Sequence, residues 1–198
     1  MKTITTIAVC FICACLAGAC SGSKKEALPP RPEPQPDTIK TEWNIPVTYL
    51  SPVTVDLDKD GENDFRIAIA LEYIEGRTRA RFKLTALGTA KTGNERNETP
   101  VLWGGGQKAA IQETDGFKWQ PGNSVLIEML VASSTEPPVW QGAFNNQHRK
   151  SVAVRITKNN RFYYGYLLFS GETAPGTAGL LLHSGFVVAT PDIVLPAD

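Results

Sequence analysis

The stretch VDLDKDGENDF, Val55 to Phe65, sets Asp56, Asp58, Asp60 and Asp64 within nine positions, with Glu62 among them. Like charges this close repel, so gathering them costs stability unless something offsets the repulsion. A divalent cation does so. Calcium is a hard ion that takes about 6–8 oxygen ligands at about 2.3–2.6 Å. Acids at alternate places of a tight loop curl toward one centre, and Gly61 permits the sharp turn among them. With Asp56 as the first place, Asp58 is third, Asp60 fifth, Gly61 sixth, Glu62 seventh and Asp64 ninth. The spacing gives a candidate Ca2+ site of Asp56, Asp58, Asp60 and Asp64, to which Glu62 adds its backbone carbonyl. The expected role is structural: the ion pins two strands, and the metal-free loop is left with carboxylates that repel. Magnesium fits less well, because it prefers few carboxylates and several waters. The competing reading is an acidic, solvated hairpin turn.

This loop resembles the D-x-D-x-D-G-x-x-D calcium loops of integrin-type propeller repeats and, more loosely, those of EF-hands and dockerins. It departs from the EF-hand at the twelfth place, which holds Ile67 instead of a bidentate Glu. Its flanks, SPVTV before and FRIAIALEY after, are strand-like and not helical. The resemblance therefore implies a site and not a fold.

Other residues with chemical capacity are few. The only histidines are His148 and His183. Ser184 follows His183, but neighbours on a strand point to opposite faces, so the two do not make a triad. No G-x-S-x-G elbow is present. His183 reads as a packed or edge residue and His148 as a solvated loop residue. WGGGQK, Trp103 to Lys108, lacks the G-K-[ST] of a phosphate cradle and reads as a turn. The acids Glu113, Asp115, Glu128 and Glu136 are scattered and single out no carboxylate pair of a glycosidase. The chain is therefore read as not an enzyme. Trp103, Trp119 and Trp140 fall in or near expected loops, in VLWGGG, FKWQPGN and PPVWQGAF. Aromatic faces there can stack on sugar rings, which makes the three candidate glycan contacts. The plainer reading is that each covers an end or corner of the fold. Exposure of two or more coplanar indoles separates the two readings.

The N-terminus indicates where such a domain works. MKTITTIAVCFICACLAGACSGSKK has one early cation, Lys2, then an apolar run from Ile7 to Ala19, then small residues. This is the pattern of a secretory signal, too short for a spanning helix of about 20 apolar residues. All four cysteines, Cys10, Cys13, Cys15 and Cys20, lie inside it, so they form no disulfide framework for a domain. LAGAC followed by SGS resembles the lipobox of bacterial lipoproteins, in a looser form found in Bacteroidota. That family lipidates the Cys after the small residues, which implies Cys20. Ala17 holds the place where the family prefers a large aliphatic residue, and Leu16 lies one further out. A cut before Cys15, with Ile12 at the aliphatic place, competes, as does plain secretion. The residue after Cys20 is Ser21 and not Asp, which by resemblance to the enteric sorting rule implies the outer membrane. Each buried methylene of a lipid anchor contributes about 0.8 kcal/mol.

From Ser21 to Lys40 the chain is rich in Pro and charge and too poor in apolar residues to fold. PPRPEPQP favours an extended polyproline spacer of about 3.1 Å per residue, or roughly 60 Å over the segment. The expected organisation is a signal over 1–19, a lipidated Cys and tether over 20–41, and one domain over 42–198. The balance of 20 basic against 20 acidic residues gives no basic stripe for nucleic acid. Partners are expected to be the membrane, through the lipid, and a glycan or surface protein.

The domain itself has period two. Phe65, Ile67, Ile69, Leu71 and Tyr73 share one strand face; Ala80, Phe82, Leu84 and Ala86 another; Val125, Ile127, Met129 and Val131 a third. Val152, Val154 and Ile156 lead to TKNNRFYY, where Asn159 and Asn160 suit a tight hairpin turn. Phe162, Tyr164, Tyr166 and Leu168 continue the pattern, and 180–182 and 186–188 read as two short final strands. Only 107–112 suggests a helical turn. The expectation is an all-β fold, an antiparallel β-sandwich of jelly-roll-like type, with a small β-barrel as the alternative. An Asp-rich loop followed by a DF strand, with the later FYYGYLLFSG, resembles extracellular β domains of Bacteroidota that have no settled activity.

Overall fold

The structure is a computed structural model, and it describes residues 38–96, 98–103, 113–114, 116–131, 138–172 and 179–189. The signal, Cys20, the Pro-rich segment and the turn expected at 107–112 lie outside the described residues. The described residues form thirteen strands and contain no helix. Five of them, in the order β10 (Val139–Gln141), β9 (Gly122–Val131), β4 (Arg77–Ala86), β3 (Phe65–Ile74) and β2 (Val53–Val55), make the smaller sheet. The larger sheet has eight. Its main path runs β1 (Thr38–Val47), β13 (Gly179–Val188), β12 (Arg161–Glu172), β11 (Lys150–Lys158), β5 (Lys91–Arg96), β6 (Thr99–Pro100). Off that path, β7 (Leu102–Trp103) pairs with β11 and β8 (Lys118–Gln120) with β5. Every pairing is antiparallel. Neither sheet closes on itself among the described residues, so the architecture is a sandwich and not a barrel. β1 begins at Thr38, upstream of the expected start at Glu42, and the compact unit that contains it spans Gln35–Asp198. All thirteen strands and the whole core lie within that unit.

The core lies where the two inner faces meet. Val55, Phe65, Ile67, Phe82, Leu84 and Ile127 from the smaller sheet pack with Val152, Val154, Leu167, Phe169, Leu182 and Val187 from the larger. Phe144, from the connection between β10 and β11, enters this core and meets Phe169 edge-on at 5.6 Å. A side chain at Gly171 would collide with the Phe144 carbonyl, so only Gly lets this connection lie against β12. The β11–β12 hairpin turns at Asn159 and Asn160 with φ of 51° and 59°, the double left-handed geometry of a type I′ turn.

Two expectations about strands need correction, and a β-bulge is the reason for each. The spacing predicts Val125 in the inward row with Ile127. The β4–β9 register slips between Phe82 and Lys83, so Leu126 has no partner on β4. Leu126 and Ile127 both turn inward and are fully buried, while Val125 goes to the outer face beside Arg81 and Glu98. The two short final strands are one, β13. It pairs with β12 throughout, but Leu168 opposes Ser184 and Phe169 opposes Leu182, so His183 is an extra residue between them.

Candidate functional site

The aspartates lie in the connection from β2 to β3, which leaves the sheet at Val55 and re-enters at Phe65, a directly paired couple. Leu57 anchors the loop: it is fully buried in the core, and its N–H donates to Asp64 Oδ2 at 2.8 Å. The rest of the loop wraps its backbone around its own carboxylates. Gly61 N–H donates to Asp56 Oδ2 at 2.8 Å, and Glu62 N–H to Asp60 Oδ1 at 2.9 Å. The Asp60 N–H is shared between Asp56 Oδ1 at 3.1 Å and Asp58 Oδ1 at 3.2 Å. Gly61 sits at φ 92°, the sharp turn that its place in the spacing requires.

Asp56, Asp58 and Asp64 each offer one oxygen, and these oxygens lie within 4.8 Å of one another. Two calcium–oxygen bonds placed opposite each other span about twice 2.4 Å, so the triad has the dimensions of a calcium cage. Asp60 and Glu62 stand apart from it. The exposed Glu62 contributes no carboxylate oxygen to the group. Asp60 turns to Lys158, the residue before the β11–β12 turn: Lys158 Nζ lies 3.4 Å from Asp60 Oδ2 and 3.1 Å from Asp58 Oδ2. This ammonium was missed at the level of sequence. Nothing in TKNNRFYY announces that a hairpin of the larger sheet reaches an acidic loop of the smaller one.

Electrostatics divide the acids. Burial pushes the Asp64 carboxyl up to about 6, and the charges of Asp58 and Asp60 add to the rise against the Leu57 N–H. Burial also raises Asp58, opposed by Lys158. Asp60 is held below its ordinary value, first by the Glu62 N–H and then by Lys158. Burial works against the Lys158 ammonium, yet Asp58, followed by Asp60, outweighs it and raises the amine. The loop is thus partly neutralised from within, by one ammonium and a ring of amides, and Asp56 and Asp64 lack an ion pair among the described residues.

The tryptophans do not converge. Trp119 is 4% exposed and lies between Phe117 at 5.0 Å and Tyr164 at 6.0 Å, with Arg155 over its ring at 5.3 Å. Trp103 meets the other side of this cluster, edge-on to Phe117 at 5.8 Å. Trp140 belongs to the other sheet and packs against Phe82 at 6.1 Å. The three indoles lie on strands β7, β8 and β10, not in the expected loops, and pack on hydrophobic clusters.

His183 has more partners than its sequence neighbours suggested. It sits at the β13 bulge, opposite an irregular step in β1 where Asn44 adopts φ 54°. Its Nδ1 lies 3.2 Å from Asn44 Oδ1 and its Nε2 2.8 Å from Ser170 Oγ. Asn44 Oδ1 only accepts, so Nδ1 carries the ring proton and Ser170 donates its hydroxyl to Nε2. Ser170 Oγ in turn accepts from the Arg149 N–H at 2.9 Å. The polarity is that of a serine–histidine–amide relay, but Ser170 is 5% exposed and does not line the adjacent recess. The chain of bonds ties β1, β13 and β12 together across the bulge and presents no accessible nucleophile. Ser170 is thirteen residues from His183, and only the strand register brings the pair together.

Among the described residues, polar groups gather in the aspartate loop, in the Ser170–His183–Asn44 cross-link, and in an ion-pair network where Arg79 and Arg81 meet the buried Glu128 while Arg81 and Lys83 meet Glu72. Comparison of the chain with protein-family models, with curated proteins and with solved structures finds no match in any of the three.

Proposed function

We propose that this chain is an envelope lipoprotein of a bacterial outer membrane, anchored through lipid on Cys20, whose β-sandwich is stabilised by calcium and serves a structural or adhesive role. The observation that carries the calcium part is the convergence of Asp56, Asp58 and Asp64 oxygens within 4.8 Å. Bound there, the ion would supply the charge that these acids lack and would fasten the β2–β3 connection over Leu57. Its partners on this reading are the membrane and a surface protein or glycan. The anchor rests on the lipobox-like LAGAC and the Pro-rich segment after it.

The test is thermal unfolding of the compact unit Gln35–Asp198 in EDTA and in millimolar calcium, with Asp56→Asn and Asp64→Asn alongside. Calcium about 100-fold above its Kd stabilises by about 2.7 kcal/mol, or roughly 5–11 °C in Tm for a domain of this size. The gain should vanish in both variants. A parent domain whose Tm ignores calcium would remove the metal and leave an acidic turn held by Lys158. Labelling with a fatty-acid probe, lost in Cys20→Ala and kept in Cys15→Ala, tests the anchor separately.

A further inference from the structure

The outer face of the larger sheet holds a recess of about 150 Å³, lined by Lys40, Glu42, Asn44, Arg149, Tyr166 and His183 among others. Several irregularities meet there. The β13 bulge directs His183 toward it, and a bulge commonly re-aims a side chain at a functional place. Asn44 and Arg149 hold left-handed φ of 54° and 45°. A conformation of that kind costs a non-glycine residue free energy and persists only when its surroundings fix it. Here the surroundings do so: Arg149 through its own N–H to Ser170, and Asn44 through its side chain to His183.

The charges are unequal. Lys40 pairs with Glu42 at 2.9 Å on the exposed rim. Arg149 has no carboxylate within ion-pair distance among the described residues, and its charge acts on Lys40, Glu42, Tyr166 and His183 alike. It helps to hold Tyr166 down against burial and, after burial, keeps His183 below the usual imidazole range. Two cations and one carboxylate leave an excess of positive charge in a recess whose other walls carry hydroxyl and amide donors. A guanidinium with free donors beside an ammonium is the arrangement that recognises carboxylates, sulfates and phosphates.

We infer that this recess is an oxyanion-binding site in which Arg149 is the principal cation, Lys40 the second, and the Ser170–His183–Asn44 chain the scaffold that positions Arg149. The ligand is a small molecule or a terminal group bearing a carboxylate, sulfate or phosphate. Such an anion lies beside His183, so binding favours the imidazolium. The inference is independent of the calcium loop, and its test is run in EDTA.

His148 and His183 are the only histidines, so a His148→Gln variant assigns the imidazole signals. The His183 ring is followed by NMR against pH during titration with glucuronate, sulfate and phosphate, at constant ionic strength set with chloride. The expected result is a saturable rise in the His183 midpoint with at least one of the three, absent in Arg149→Gln and about tenfold weaker in Lys40→Gln. A response to glucuronate alone assigns a carboxylate ligand; one to sulfate or phosphate alone assigns a sulfate or phosphate group. No saturable change with any of the three, or an undiminished change in Arg149→Gln with the strand amide signals intact, overturns the inference.

Discussion

At the scale of single residues, Lys158 holds the Asp58 carboxylate that the proposed calcium would also need. Removing the ammonium has two opposite effects. Lys158→Met keeps the apolar stem but leaves the Asp58 and Asp60 carboxylates without their counter-charge. The metal-free domain should then lose about 1–3 kcal/mol, since Asp58 is largely buried. Calcium should bind at least about tenfold more tightly, because even at the dielectric of water a cation about 6 Å away repels a divalent ion by about 1.4 kcal/mol. Calorimetric titration beside denaturant unfolding checks both, and a variant that weakens calcium binding would show that Lys158 supports the cage and does not compete with it. Asp64 supplies a pH signature. Its folded pKa of about 6 lies above the ordinary value, so its contribution to stability is complete below about pH 4 and is lost as pH rises through about 6. In EDTA, acidification from pH 7 to 5 should therefore stabilise the parent domain relative to Asp64→Asn. In calcium the sign reverses, since the proton and the ion compete for one carboxylate. Equal pH profiles for parent and variant in EDTA would refute the assignment.

At the scale of elements, the β3 row shows what periodicity conveys and where it stops. Phe65, Ile67, Ile69, Leu71 and Tyr73 do share a face, as their spacing requires. Yet Phe65 and Ile67 are fully buried while Leu71 is 54% and Tyr73 77% exposed, and Leu71 faces an apolar pocket shared with Val47, Tyr49 and Trp140. Spacing reports which way a side chain points and not whether a second sheet lies opposite. Ile67→Ala should cost about 2–5 kcal/mol, whereas Leu71→Ala should cost under about 1 kcal/mol. Comparable losses in urea unfolding would place a covering element over Leu71. The same limit explains the bulges. Leu126 and His183 each break a period-two row, and a bulge depends on the partner strand, which a single strand's sequence does not contain. The Asn159–Asn160 turn was legible because its left-handed geometry is a local demand. So was the convergence of Asp56, Asp58 and Asp64, whose spacing lies within one loop. Lys158 and the Ser170–His183 pair were not, since long-range register alone creates them.

At the scale of the molecule, β1 carries more than a domain boundary at Glu42 would assign to it. Among the described residues it is the outermost strand of the larger sheet, and its only sheet partner is β13. Thr38, Ile39, Lys40 and Thr41 pair with Val188, Val187, Phe186 and Gly185, and Ile39 enters the core. A chain cut to Glu42–Asp198 loses those four pairs and leaves half of β13 as an open edge. Burial of Ile39 alone contributes about 1.5–3 kcal/mol, and the lost ladder adds to it, less the entropy regained by the released residues. The shorter fragment should unfold at lower urea than Gln35–Asp198, by at least about 2 kcal/mol. Its uncovered edge of Phe186, Val187 and Val188 should also self-associate, because unpaired apolar strands template pairing with another chain. Sedimentation of both fragments at matched concentration, beside their unfolding curves, reads the two effects. Equal stability and a monomeric shorter fragment would mean that the first half of β1 is dispensable. The loss should also reach the oxyanion recess, since Lys40 is removed and Asn44, which fixes the His183 ring, then lies near a frayed end of β1.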